Sequence, residues 1–188
     1  SIAPFDLQES WDNSGLIIGS MNDEFDSITL SLDLDSSLIA QAKPRTLFIT
    51  HHPLIFKGLK SINSSEYPAN LIKDMIKKDI SLISMHTNYD KAVLNKFVLS
   101  EVLGYKNYEQ DSEFVFKFEV NKSFEEFVAD IKSKLNLTTI RVVKGCDFIK
   151  TAAICTGSGS ELIGSFKADC FLSGDFKYHT ALQSYENS

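Results

Sequence analysis

Cysteine is scarce in this sequence and badly spaced for structural chemistry. The three thiols, Cys146, Cys155 and Cys170, are an odd number without a C-x-x-C pair. That argues against a disulfide framework or a zinc knuckle and for a reducing, cytoplasmic setting. Two of them fall in strand-like apolar runs, where a thiol behaves as a small hydrophobe. Long apolar runs are missing too. Stretches such as Leu47-Phe48-Ile49 are only strand-length, so no segment is expected to span a bilayer. Ser1-Ile2-Ala3-Pro4 leads into acidic, polar sequence rather than a signal peptide. Basic charge is in short supply: 25 acidic against 19 basic residues give a net charge of −6. The lysines are scattered rather than striped, which speaks against a DNA- or RNA-backbone binder. No initiator Met is present, and the stretch from Tyr178 to Ser188 reads as a helix interrupted in mid-flow. The 188 residues are therefore taken as a minimum length.

What is present is an ordinary globular mixture, 43% hydrophobic and 23% charged. It is long enough to bury a core as one large or two small domains. Strand and helix patterns alternate. Ser27 to Leu34 alternates apolar and polar residues, and Asp35-Ser36-Ser37 offers N-cap chemistry for a helix ending near Lys43-Pro44. Thr46 to Thr50 reads as a buried strand. Pro68 to Lys78 carries a helical stripe at Leu71, Ile72, Met75 and Ile76. Ile80 to Met85 is the next strand, with a helix from about Asp90 to Leu103. Such alternation predicts parallel strands joined by crossover helices.

A different block follows. Glu113 to Val120 alternates as a half-exposed strand, Ser123 with Glu126 forms a capping box, and Thr139 to Val143 gives a further strand. Phe114, Phe116 and Phe118 read as core or subunit interface rather than a base-stacking platform. Beyond the block the first pattern returns: residues 30–52 resemble 153–175, with a strand, a Ser-containing turn, a helix and a second strand. The expected fold is α/β, with duplicated, intertwined α/β units in three layers, mixed and mostly parallel sheets, and a central β-α-β insertion. The expected division is an N-terminal α/β unit over 1–104, the insertion over 105–146 and the second unit over 147–188.

The four histidines carry the chemistry. His51, His52, His86 and His179 each lie just past a predicted strand or at a loop-to-helix junction, where open α/β sheets place their sites. A break at Pro53 would let His51 and His52 face one cleft and bind zinc, iron or manganese through nitrogen. The competing reading is a pair of half-buried loop histidines, and for a bare His-His it is the commoner one. His86-Thr87-Asn88-Tyr89-Asp90 shifts the balance, because two His-bearing strand ends with a carboxylate in one α/β sheet favour a metal site, His, His and Asp supplying three ligands and leaving positions for water. Asp90 alone would read as an N-cap. His179, one turn past Asp175, is as readily a surface histidine as a functional one. Gly157-Ser158-Gly159-Ser160 lacks the Lys of a phosphate loop and reads as a tight turn. Trp11-Asp12-Asn13-Ser14-Gly15 reads as an Asx-turn with Trp11 packed beneath it.

Taken together, Ala3-Pro4, Trp11-Asp12-Asn13-x-Gly15-Leu16, His51-His52-Pro53-Leu54-Ile55-Phe56 with Gly58-Leu59, His86-Thr87-Asn88-x-Asp90, and Ser173-Gly174-Asp175 with His179 resemble one family in type and order. It is the GTP cyclohydrolase I type 2 homologs, also called the Ngg1-interacting-factor-3-like family. The resemblance implies a centre of two divalent ions per subunit (zinc, iron, manganese or magnesium) between two similar α/β units, in a toroidal homohexamer. His51, His52 and Asp90 match its metal ligands. Its remaining His and Glu ligands, from a Gly-His-x-x-Ser/Thr-Glu motif, are expected beyond Ser188, and Glu186 is no substitute for them. His86 and His179 are left as catalytic or substrate-contact candidates. The implied activity is metal-dependent hydrolysis of a nucleotide-like substrate, with GTP opened at C8 and formate released. A non-enzymatic metal- or partner-binding adaptor that forms a ring is the alternative, and a structural role for the histidines is a third.

Overall fold

A computed structural model describes residues 2–186. The chain divides between Tyr89 and Asp90 into two compact units, each with its own four-stranded mixed sheet and its own apolar core.

In the first unit, strands β1 (Gly15–Ile18), β2 (Ser27–Ser31), β3 (Thr46–Thr50) and β4 (Ser81–Ser84) lie in the order β1-β4-β3-β2. β2, β3 and β4 are parallel neighbours, while β1 runs antiparallel to β4. Two helices make the crossovers, α1 (Ser36–Gln41) and α2 (Ala69–Lys77), and a short α turn, α3 (Thr87–Tyr89), follows β4. The Asp35 side chain caps α1 by accepting from the Leu38 amide at 2.8 Å, as its place before the Ser pair predicts. β3 alternates little because it is covered on both faces, and all but Ile49 of its residues are buried. The core packs Leu34 and Ile39 with Phe48, Leu54, Leu71, Ile72, Met75, Ile80 and Leu82. Ile76, at the margin of the α2 stripe, is exposed instead.

The second unit opens on a helical run, α4, over residues 90–102. There, π turns at Asp90–Leu94 and Val98–Val102 enclose an α turn at Asn95–Phe97. Asp90 is thus no N-cap, because the preceding turn already begins at Thr87. β5 (Tyr108–Gln110), β6 (Phe116–Ser123), β7 (Phe148–Ser158) and β8 (Cys170–Asp175) pair in sequence order, antiparallel except for the parallel β7–β8 step. The predicted capping box holds: the Ser123 hydroxyl accepts from the Glu126 amide, and the Glu126 carboxylate receives the Ser123 N–H, starting α5 (Phe124–Lys134). Phe116 and Phe118 are core residues beside Phe127, Leu99 and Leu103. The helix expected within 153–175 shrinks to a 3₁₀ turn, Ser160–Leu162. No strand forms at Thr139–Val143, where Val142 and Val143 are exposed. Ile140 packs against the core from irregular chain while the two valines find no sheet surface to cover, and strand preference follows such packing more than the backbone alone. α6 spans Tyr178–Glu186, and the last two residues of the expected C-terminal helix lie outside the described residues.

One partly buried cluster ties α5 to its sheet. The Asp130 carboxylate accepts from Lys122 Nζ at 2.6 Å, Lys134 Nζ at 3.1 Å and the Tyr105 hydroxyl at 3.2 Å. Burial alone would raise the Asp130 carboxyl, but the two ammonium groups hold it below its ordinary 3.8. A depressed folded-state value means stability present above the unfolded-state value and lost as pH falls through the folded one. Asp130→Asn is therefore expected to cost about 1 kcal/mol at neutral pH. In urea unfolding that deficit should shrink as pH falls below the ordinary carboxyl value of 3.8; a deficit independent of pH would show that charge is not its source.

Candidate metal centre

The topology of the first sheet brings its chemistry to one edge. β2, β3 and β4 are parallel, so Asp33, His51 with His52, and His86 all follow strand ends on the same side. β1 is antiparallel to β4, with Gly15 opposite Ser84. Its entry segment, Trp11-Asp12-Asn13-Ser14, therefore arrives at that edge as well. Backbone bonds fix the turns. The His51 and His52 amides donate to Ser31 and Leu32 carbonyls, and the Met85 amide donates to the Thr50 carbonyl at 2.8 Å. The Thr50 hydroxyl donates to the His52 carbonyl at 2.9 Å and pairs with the Ser84 hydroxyl.

Those turns place three imidazoles together. Ring centroids are 4.9 Å apart for His51–His52, 5.2 Å for His51–His86 and 5.5 Å for His52–His86. One ligand nitrogen from each lies within 4.8 Å of the others. Each Nδ1 faces an acceptor: the Met85 carbonyl at 2.9 Å for His51, Asp33 Oδ1 at 2.7 Å for His52 and Asp12 Oδ1 at 2.8 Å for His86. Carbonyl and carboxylate oxygens only accept, so all three Nδ1 atoms carry the proton. A ring so protonated carries its lone pair on Nε2 when it is neutral. Donation of the second ring N–H to a carboxylate or carbonyl is the usual arrangement behind a metal-ligating histidine. The donor set suits a divalent ion that accepts nitrogen ligands, such as zinc, iron or manganese.

Electrostatics favour the same state. Burial pushes the His51 imidazole below its usual value, and the neighbouring His86 adds to this against the Met85 hydrogen bond, so the ring stays neutral and able to ligate. Burial would raise the Asp12 carboxyl, but the Thr87 hydroxyl, the His86 ring and the Asn13 and Thr87 amides together hold it at about 2. The Asp12 side chain is 0% exposed. Its Oδ2 accepts from Ser14 Oγ at 3.0 Å, from the Thr87 amide at 3.0 Å and from the Thr87 hydroxyl, which in turn accepts from the Glu9 amide.

The sequence-predicted residues divide as follows. His51, His52 and His86 meet, so His86 stands beside the pair as a third nitrogen donor. Asp90 opens α4 in the second unit, where its charge and, chiefly, burial push the Cys155 thiol up to about 11. His179 sits exposed in α6, its ring 5.4 Å from that of Tyr178. Among the described residues, the group with metal-ligand spacing is the histidine triad. The Gly157–Ser160 segment is a pinned turn: Ser173 Oγ donates to the Gly157 carbonyl and accepts from the Gly159 amide at 2.8 Å. A Cβ at Gly159 would fall 2.8 Å from that Oγ. Asp12 and Asp33 are the functional residues that sequence reasoning passed over. Asp12 accepts from the adjacent Asn13 amide at 2.8 Å and from the Ser14 hydroxyl, in place of the Asx-turn bond to the Ser14 amide, and Trp11 is not packed beneath it and is 56% exposed.

Comparison with known proteins gives relatives along the whole chain. The sequence model of Duf34/NIF3 (NGG1p interacting factor 3) matches residues 1–188. A Campylobacter jejuni protein named GTP cyclohydrolase 1 type 2 homolog is 51% identical over 187 residues, 99% of this chain and 77% of its own. A Helicobacter pylori protein (strain 26695) named GTP cyclohydrolase 1 type 2 is 43% identical over 182 residues, covering 96% and 75%. The crystal structure of Staphylococcus aureus protein SA1388 superposes with a TM-score of 0.80 at 30% identity, covering 98% of this chain and 79% of that one.

If the triad is the donor set, His51→Ala, His52→Ala and His86→Ala each lose bound metal in elemental analysis of zinc-, iron- or manganese-loaded protein. Asp12→Asn keeps the metal but binds it about 10- to 100-fold more weakly. Undiminished metal affinity in His86→Ala would remove that ring from the set.

Proposed function

The chain belongs to the Duf34/NIF3 (NGG1p interacting factor 3) family, and from that premise we propose that it is a divalent-metal-dependent hydrolase of a nucleotide-like substrate. The observation that carries this reading is the cluster of three imidazoles, each with its Nδ1 facing an oxygen acceptor and one ligand nitrogen of each within 4.8 Å of the others. His51, His52 and His86 would hold an ion. The resemblance adds Asp90, together with a His and a Glu from a motif that finds no match here, as donors for a dinuclear centre. A bound divalent ion supplies Lewis acidity that activates water as a nucleophile at neutral pH.

The chain's own residues do the positioning. Asp12 and Asp33 fix the tautomer and the orientation of the His86 and His52 rings, and the Met85 carbonyl does the same for His51. His52 is half exposed, with its side chain at 48%, so it faces the side from which substrate arrives. His179 belongs to the same reading as a substrate contact. GTP is the substrate that the relatives' names carry, with hydrolytic release of formate as its reaction. The toroidal hexamer is the assembly this reading implies. β2 is an edge strand whose flank exposes Ile28, Leu30 and Leu32, apolar surface that a second copy would cover. Among the described residues no helix is long and apolar enough to cross a membrane.

The test is formate release from GTP by the metal-loaded full-length protein. Activity is expected in the parent and only at the metal-free background in His51→Ala and Asp90→Ala, with circular dichroism unchanged. Loaded parent protein that yields no formate refutes the cyclohydrolase assignment. Asp90→Ala protein with full activity removes Asp90 from the centre.

A further inference from the structure

Beside the triad stands an aromatic wall that its metal chemistry does not use. The Trp11 ring lies 6.3 Å from His86 and 5.8 Å from Phe56, and Phe56 lies 6.2 Å from His86, all centroid to centroid. Both rings face outward, Trp11 at 56% and Phe56 at 45% exposure. Leaving two large aromatic rings in water forgoes the burial that normally offsets their hydration. It also happens here on a segment with little freedom. Asn13 Nδ2 donates to the Ile55 carbonyl at 2.6 Å, locking the Trp11 loop to the Phe56 loop. On either side, Asp12 has its side chain fully enclosed and Leu54 is buried in the core. Two neighbouring rings are thus held rigid and wet at the rim of the candidate metal centre. The indole N–H has no partner among the described residues.

We propose that Trp11, backed by Phe56, is the surface on which the planar heteroaromatic ring of the substrate stacks. In the hydrolase reading, on which the identity of the ring rests, that ring is the purine base of a nucleotide. Trp11 and Phe56 are tilted at 54° and already in contact, so they form one wall and not a two-sided clamp. A ring lying on it at an ordinary stacking separation of about 4.5–7 Å stands as close to Trp11 as His86 does. On the side of the wall nearer His86, an edge of the base comes within reach of the triad. Stacking of this kind needs no base-specific hydrogen bond, because every base presents a π face. The preformed wall keeps the ordering cost of binding small.

Trp11 is the chain's single tryptophan, so its fluorescence reports on the wall alone. GTP and guanosine are expected to quench emission of the full chain saturably, and inorganic tripolyphosphate at equal concentration is not. By calorimetry, Trp11→Ala and Phe56→Ala are expected to weaken GTP binding about tenfold with metal content unchanged, and Trp11→Phe to retain most of the affinity. Emission indifferent to GTP and guanosine overturns the proposal, as does equal quenching by tripolyphosphate or parental affinity in Trp11→Ala. So does emission that changes only with protein concentration, since a second copy would then cover the wall. Failure of the metal reading looks different: the parent protein itself takes up no zinc, iron or manganese on loading, while GTP still quenches its emission.

Discussion

The candidate site depends on one buried charge. The Asp12 carboxylate has no exposed surface, and an unpaired carboxylate in that position would be protonated or would unfold its surroundings. It stays ionised because donors converge on it: the His86 ring, the Ser14 hydroxyl, the Asn13 amide, and the amide and hydroxyl of Thr87. These donors come from two segments more than seventy residues apart, so the carboxylate is also the clasp between them. It starts the α3 turn by taking the first free N–H, the task of an N-cap, from outside the helix. It also sets the tautomer of His86.

Sheet topology supplies the other half of the arrangement. Three parallel strands end on one side, and one antiparallel strand begins there. Four separate stretches of sequence therefore deliver Asp12, Asp33, His51 with His52, and His86 to a single edge. The three imidazoles are oriented unequally. His51 is held by a neutral carbonyl, and His52 and His86 by carboxylates. A carboxylate behind an imidazole raises its basicity more than a carbonyl does. Burial alone already keeps His51 in the neutral, ligating form.

Local signals carried much of this in the sequence. β3, the Asp35 cap and the Ser123 capping box are short-range features and stand where their residues predict. The histidines were recognisable because each follows a strand, and parallel strands share their ends. Asp12 was not recognisable, because its visible motif predicts only the local Asx contact. The contacts that give it a function are to Thr87 and His86, which no spacing rule connects to it. His86 read as a catalytic or substrate-contact candidate and not as a ligand, since the β3–β4 pairing decides how closely it meets His51 and His52. The 3₁₀ turn at Ser160–Leu162 and the irregular chain at 139–143 fail in the opposite direction. There the pattern promised regular elements, but Ile140 packs on the core from irregular chain and Val142, Val143 and Ile163 stay exposed.

Trp11-Asp12-Asn13-Ser14 compresses these constraints into one stretch. Asp12 and Ser14 turn inward, Ser14 binding both the Asp12 carboxylate and the His86 amide. Trp11 turns outward, and Asn13 reaches sideways to the Phe56 loop. The residues that orient an imidazole and those that shape the aromatic wall are therefore covalent neighbours, and one cannot shift without moving the other. A ligand pressing on the wall acts on the segment that holds His86, and whatever His86 ligates acts back on the wall. Occupancy of the two is coupled to the extent that either contact strains or relaxes that segment, and the coupling must be equal in both directions. The fold thus places the surface that would receive a base and the charge that would orient a metal ligand on consecutive residues of a single rigid turn.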